Sequence, residues 1–308
     1  MVRRGDPEDV NCSIAQALDV VGDSWTLLII RDAARGLTRF EQFQQELGLS
    51  RKVLAERLRL LVDAQVLTRQ PYQERPLRHE YRLTPRGRAL LPVLVALQDW
   101  GDSWLLGTGE PTATTVEASR EAERVHALLG TRIPELLLPG ADGEPHDPVA
   151  AGGATVLYCF PGAFVRPESY PPGWSAVPGA PGCTLESLTY RDRLAEFTAA
   201  GAAVHGVSTQ RPDEQRAFAE AESLGFPLLS DLGLGLTGAL RLPTLRAAGT
   251  TRLKRLTLVV DRDRTVREVL YPVTDITASV AAALRAARGV QADRAATRSG
   301  HAVRPSAR

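Results

Sequence analysis

The chain is poor in the groups from which metal centres and disulfide scaffolds are built. Its three cysteines, Cys12, Cys159 and Cys183, form no close pair, which excludes a zinc cluster and a disulfide framework. The five histidines, His79, His126, His146, His205 and His301, show no metal-ligand spacing, so neither metal nor cofactor is expected. No Gly-rich phosphate loop and no Ser-His-Asp arrangement stands out. Apolar runs are too short to span a bilayer, and Met1-Val2-Arg3-Arg4 has no apolar run behind it, so a cytoplasmic protein that touches no membrane is expected. Lysine is almost missing. Only Lys52 and Lys254 occur, and every other basic residue is arginine, a bias of base composition first, although arginine also suits phosphate and guanine contacts.

What is present points to two domains, the default for 308 residues. The net charge of +1 hides a contrast, because the span Arg51 to Arg88 holds ten Lys/Arg against four Asp/Glu. Leu54, Leu58 and Leu61 form one apolar stripe, and Ser50 stands immediately before the periodic run as its N-cap. The opposite face offers Arg51, Lys52, Ala55 and Arg59, side chains that a helix entering a major groove presents to bases and phosphates. A solvated helix that merely packs has the same periodicity, and the flanks decide against it. Arg39–Leu47 reads as a short helix joined by a Gly48-Leu49 turn. Val66–Arg69 and Glu80–Leu83 read as two short strands around the basic loop Gln70–His79, which carries Arg75 and Arg78. The pattern is a winged helix-turn-helix.

Elsewhere in the first hundred residues, Cys12–Val20 and Ser24–Ala34 read as helices. Pro85–Leu105 reads as one long helix bearing Leu90, Leu91, Leu94, Leu97, Trp100 and Trp104, more apolar surface than so small a domain buries alone. Packing against a second subunit is therefore expected. The residues Cys12 to Trp25, Ile30-Arg31-Asp32, Phe40-x-x-Phe43, Leu54-x-x-Arg57-Leu58, Glu80-Tyr81-x-Leu83-Thr84-x-x-Gly87 and Trp100-Gly101 resemble the HxlR-type winged helix-turn-helix regulators. That resemblance implies a homodimer through the N-terminal domain on a near-palindromic double-stranded operator, with Ser50, Arg51, Lys52 and Arg59 at the bases and backbone and the wing on flanking phosphates. It also puts Cys12 where members that sense electrophiles carry a reactive cysteine.

After a polar linker and connector helix, residues 107–130, strands and helices alternate: strand Ala154–Phe160, helix Cys183–Ala200, strand Ala203–Ser208, helix Asp213–Leu224, then strands Pro227–Ser230, Leu256–Asp261 and Val266–Tyr271 and a helix Thr277–Arg288. Such alternation indicates an α/β domain over residues 131–288. Residues 1–106 form the DNA-binding domain, and 289–308 lack periodicity and are expected to be disordered. Cys183 falls in the first turn of its helix, where free backbone N–H groups and the dipole favour thiolate and lower its pKa. Arg255 heads a strand that can run beside the first one and so come near Cys183.

Leu157 to Gly162, Pro181-Gly182-Cys183-Thr184, Gly206-Val207-Ser208, Leu229-Ser230-Asp231 and Arg255 to Asp261 resemble a peroxiredoxin domain of the redoxin group. The implied architecture is an α+β winged helix-turn-helix followed by an α/β thioredoxin-fold domain. The implied chemistry is oxidation of Cys183 to sulfenic acid by peroxide, with Arg255 steadying thiolate and peroxide. Two departures stand against the enzymatic version. The usual threonine and proline before the cysteine are Ala180 and Ala176, leaving Thr184 or Ser187 to supply a hydroxyl. The place of a nearby resolving cysteine is Leu188, so resolution needs Cys159, Cys12, a partner such as thioredoxin, or a small thiol. Cys159 reads more readily as a packed strand residue. The long Pro- and Gly-rich segment Ala163–Gly179 is a candidate cover for the site. The reading is a redox-responsive transcriptional regulator. A thiol peroxidase with an uncoupled DNA-binding domain and an inert interaction scaffold stay open beside it.

Overall fold

In the computed structural model, which describes residues 12–247 and 249–301, the chain divides into two compact units, Met1–Leu94 and Val95–Arg308. The first unit contains α1 (Ser13–Val21), α2 (Ser24–Ala34), α3 (Phe40–Leu47), α4 (Arg51–Asp63), the hairpin β1 (Leu67–Glu74) and β2 (Leu77–Leu83), and α5 (Pro85–Arg88). Side-chain caps set the helix starts. Asp23 accepts from the amides of Trp25 and Thr26 at 3.0 and 3.2 Å, Ser50 from Val53 at 3.3 Å, and Thr84 from Gly87 at 3.0 Å with Pro85 behind it. Gly48 closes α3 in the left-handed region, φ +64°, and turns the chain into α4. The apolar stripe Leu54, Leu58 and Leu61 packs with Ile29, Ile30, Phe43 and Leu67 in one core.

The wing differs from the sequence reading. Residues expected to be loop are strand, because β1 and β2 pair from Leu67↔Leu83 to Glu74↔Leu77 with an irregularity between Pro71 and Gln73. A solvated two-stranded ribbon has no apolar alternation to reveal it, and the irregularity accommodates Pro71. The expected helix Pro85–Leu105 is also broken. α5 stops at Arg88, α6 runs Leu91–Trp100, and a π turn follows at Gly101–Leu105. Pro92 has no amide to give to the Arg88 carbonyl, and its ring crowds that oxygen, which separates α5 from α6.

The second unit continues with α7 (Arg120–His126), β3 (Leu138–Pro139), β4 (Pro145–His146), β5 (Ala154–Cys159), α8 (Cys183–Asp192), α9 (Leu194–Ala199), β6 (Ala202–Ser208), α10 (Pro212–Ala221), β7 (Leu228–Ser230), α11 (Gly235–Leu240), β8 (Thr244–Ala247), β9 (Thr250–Leu253), β10 (Leu256–Val260), β11 (Val266–Leu270) and α12 (Ile276–His301). The main sheet has the order β11-β10-β5-β6-β7. β5, β6 and β7 are parallel, and β10 is antiparallel to β5 and β11. Every residue of β5 is buried, as a central strand covered on both faces requires. Its alternate residues feed two cores. Val156 and Tyr158 join Cys183, Tyr190, Phe197 and Leu284, whereas Leu157 and Cys159 join Val125, Val207, Leu236 and Leu256.

Three details correct the sequence reading here. The helix expected over Cys183–Ala200 divides at Arg193 into α8 and α9. The hairpin of β8 and β9 was not foreseen. The segment expected to be disordered from Gly289 is helical as far as His301, and residues 302–308 lie outside the described residues. Its Ala- and Arg-rich composition favours helix without an apolar stripe, so a search for periodicity passes over it. Among the described residues no single helix is long and apolar enough to cross a membrane.

Candidate functional site

On the first unit, the side chains expected at DNA are in solvent. Arg51 and Lys52 are exposed in the first turn of α4, and the Arg51 guanidinium lies 5.2 Å from the centre of the Phe40 ring. Arg59 is exposed further along and pairs with Asp63 at 2.9 Å. Arg75 stands in the hairpin turn and Arg78 on β2, both exposed. The Ser50 hydroxyl is spent on the helix cap. The Arg31-Asp32 motif has a structural role, since buried Asp32 is held by Arg31 at 2.8 Å and Arg35 at 3.1 Å. Cys12 is half-buried at the N-cap position of α1, and its side chain makes no capping bond.

On the second unit, Cys183 is the first residue of α8. Gly182 before it adopts φ +108°, a conformation that demands glycine. The pairing Leu256↔Cys159 carries Arg255 to the end of β5. Its Nη2 lies 3.5 Å from Cys183 Sγ and donates to the Pro181 carbonyl at 3.2 Å, while its Nη1 is ion-paired with Glu186. The Cys183 thiol also donates to the Ala180 carbonyl at 3.4 Å. All three side chains are buried.

The electrostatics reverse one expectation. Burial pushes the Cys183 thiol above its ordinary value. Arg255 and the Gly162 amide pull it down, and the Glu186 carboxylate pushes it further up. The helix start and Arg255 therefore do not by themselves produce a low-pKa thiol while the site is closed. Burial also pushes Glu186 up to about 7 against the pull of Arg255. Burial opposes the Arg255 charge, yet Glu186 and Cys183 outweigh it and leave the guanidinium above its usual value. Glu186 escaped the sequence reading, although its position one helical turn after Cys183 was the available signal.

The hydroxyls offered as substitutes for the missing threonine are directed at tyrosines. Thr184 meets the Tyr170 hydroxyl at 3.5 Å and Ser187 meets Tyr158 at 3.1 Å. Cys159 belongs to the core on the opposite face of the sheet from Cys183, and burial pushes its thiol far up, which argues against a resolving role. The segment before α8 is ordered by two short 3-10 turns, Pro167–Ser169 and Trp174–Ala176, and buries Trp174 in the Cys183 core. The residues expected as a polar linker touch it. The Ala113 amide donates to the Pro178 carbonyl at 2.8 Å, and Ala113 is buried in the same core as Ala180 and Cys183. Nearby, Arg124 of α7 grips Asp102 through two bonds of 2.7 Å, and Lys254 pairs with Glu121 at 2.9 Å.

Comparisons with known proteins match each unit separately. Residues 20–108 match the HxlR-like helix-turn-helix family and residues 175–269 the AhpC/TSA family. An uncharacterized HTH-type transcriptional regulator of Mycobacterium tuberculosis is 48% identical over 93 residues, 30% of this chain and 59% of the relative. The chain thus spans about 59% of the length of the first curated relatives it matches. Another protein of Mycobacterium tuberculosis, assigned by name to the peroxiredoxins, is 32% identical over 148 residues, 47% of this chain and 85% of the relative. Among solved structures, the peroxidoxin BcpB of the same organism has a TM-score of 0.45 at 28% identity, covering 53% of this chain and 97% of that one.

Proposed function

The chain belongs to the HxlR-like helix-turn-helix family in its N-terminal part and to the peroxiredoxin-like AhpC/TSA family in its C-terminal part, and from this we propose that it is a peroxide-responsive transcriptional regulator. Cys183 is the reactive thiol. Arg255 steadies the thiolate and the departing peroxide oxygen, and Thr184 stands beside it at the start of α8. Arg51, Lys52 and Arg59, on a helix positioned by Ser50, and Arg75 and Arg78 of the wing carry the DNA contacts. The protein acts as a homodimer in the cytoplasm, with exposed Leu97, Trp100 and Trp104 supplying apolar surface for a second copy.

The observation that carries coupling is the bond from Ala113 to Pro178. The chain that leads out of the DNA-binding unit is tied to the loop that precedes Cys183. Oxidising a buried thiol adds an oxygen to a packed core, which shifts the loop before it and Ala113 with that loop. To change operator occupancy a hundredfold, the two states must differ in DNA affinity by about 3 kcal/mol. The return path to thiol needs thioredoxin or a small thiol, since Cys159 is walled off across the sheet.

The test is operator affinity at fixed salt, on duplex DNA selected from random sequence by the reduced protein, before and after peroxide treatment. Wild type is expected to change its affinity while Cys183→Ser does not. A response lost only in Cys12→Ser would move sensing to the N-terminal unit. Steady peroxide turnover with thioredoxin and no change in DNA affinity would favour the uncoupled peroxidase.

A further inference from the structure

Arg252 of β9 is a buried cation that makes no salt bridge among the described residues, and the Glu214 carboxylate acts on its charge only from further off. Arg252 is 8% exposed, its Nη1 donates to the Pro161 carbonyl at 3.2 Å, and its Nε is buried with no hydrogen-bond partner. The guanidinium lies against the rings of Phe164 and Trp174, 5.5 and 5.2 Å from their centres. Trp174 is 6% exposed, and its Nε1 is likewise buried without a partner. Burying a charge and two N–H groups in this way is costly unless an acceptor arrives.

Gly162 links this cluster to the reactive sulfur. Its amide favours the Cys183 thiolate, and a Cβ on it would stand 2.8 Å from Arg252 Nη1. The charge around the thiol is therefore uneven. Arg255 is offset by Glu186 in direct contact, whereas Arg252 has no carboxylate in contact and feels only Glu214 from further off and the Cys183 sulfur. An oxyanion held there would accept from the Arg252 Nε and the Trp174 Nε1 and answer the charge, a charge-assisted hydrogen bond being stronger than a neutral one.

We infer that Arg252 and Trp174 form a subsite for anionic peroxides, selecting hydroperoxides that carry a carboxylate a few bonds from the O–O group. The inference rests on the reading of Cys183 as the peroxide-reactive thiol. Because one glycine separates the guanidinium from the thiol, a carboxylate at the far end of a long acyl chain does not fit, and a short acid does. In the reaction the Cys183 thiolate attacks the terminal peroxide oxygen. An S–O bond forms, the O–O bond breaks, and sulfur gives up two electrons. The remaining oxygen leaves as alkoxide and takes up the proton released by the thiol, so thiol and hydroperoxide become sulfenic acid and alcohol. Arg252 holds the carboxylate and thereby the hydroperoxide in line with the sulfur.

The full-length protein is mixed in stopped flow with 4-hydroperoxy-4-methylpentanoate, with its methyl ester, and with hydrogen peroxide, and the rate of Cys183 oxidation is read. The quantity of interest is the acid-to-ester ratio, in which any loss common to both substrates cancels. Wild type is expected to prefer the acid about tenfold, Arg252→Gln to bring the ratio near one, and Arg252→Lys, which keeps charge without the planar fork, to fall between. A ratio near one in wild type, or a preference that survives in Arg252→Gln, overturns the subsite while leaving Cys183 as the reactive thiol if hydrogen peroxide still oxidises it. Failure of all three peroxides to oxidise Cys183 overturns both readings.

Discussion

The starts of α4 and α8 do the same thing in opposite surroundings. Each brings functional groups to a helix N-terminus, where free amide donors and the dipole attract negative charge. At α4 the end is capped by Ser50, and Arg51 and Lys52 stand in water. At α8 no side chain caps the end, Gly182 is forced into the left-handed region, and Cys183 with its two charged neighbours is shut away from solvent. Exposed charges act nearly independently and are screened by salt, whereas buried ones depend on each other for the right to be there. Substitutions in the two places should therefore differ in kind.

The largest effect is expected at the buried end. Arg255→Met removes the partner of Glu186, and breaking a buried pair in this way costs about 3–5 kcal/mol of stability, measurable by urea unfolding. The loss has a defined pH dependence. Glu186 is raised from the ordinary 4.5 to about 7 in the folded protein, so its contribution is present in full below the ordinary value and is lost as pH climbs through about 7. Without Arg255 the folded value goes higher still, and the deficit of Arg255→Met grows as pH rises above about 7, where the carboxyl is pressed to ionise without a partner. The double variant Arg255→Met, Glu186→Leu should recover much of the stability. A deficit that is small, flat with pH and unrelieved in the double variant would mean that the two charges are not interdependent, and the contrast with α4 would fail.

Arg51→Ala is expected to leave folding stability within about 0.5 kcal/mol of wild type, because its side chain is exposed. Its effect belongs to binding: operator affinity should fall about tenfold at fixed salt, with the slope of log affinity against log salt reduced by about one if the contact is to phosphate. Unchanged affinity would remove α4 from the DNA interface and leave it a packing helix.

The same difference governs how much could be read from the residues. Ser50, the stripe Leu54-Leu58-Leu61 and the arginines opposite it are all local, and a helix with one solvated face declares itself by spacing. The α/β order of the second unit was legible for a similar reason, since β5 and β10 are short continuous apolar runs between turn residues. Cys183 could be placed at a helix start, and Arg255 at the head of a strand. The direction of the thiol's shift could not be read, because it is decided by burial and by the opposing charges of Arg255 and Glu186, which the register of β10 on β5 brings together at Cys183. The wing was underestimated because polar ribbons have no apolar face. Arg252 went unnoticed with the hairpin that carries it, whose strands are only four residues each. The bond from Ala113 to Pro178 joins two irregular segments, for which no periodicity exists.

The smallest effect separates the cap from the charges beside it. Ser50→Ala deletes the acceptor for the Val53 amide, one of the donors that the first turn of α4 cannot satisfy internally, and should cost about 1 kcal/mol of stability in urea unfolding. Ser50→Gly should cost only a few tenths of that, because glycine lets water reach the amide. If Ser50 serves only as a cap, operator affinity in folded protein falls less for Ser50→Ala than for Arg51→Ala, and the salt slope keeps its wild-type value, since no charge is lost. An affinity loss as large as that of Arg51→Ala, with stability untouched, would instead make the hydroxyl a direct DNA contact. The end of α4 would then resemble the end of α8 more closely, as a place where a single polar atom meets the ligand and the helix start is left without a side-chain cap.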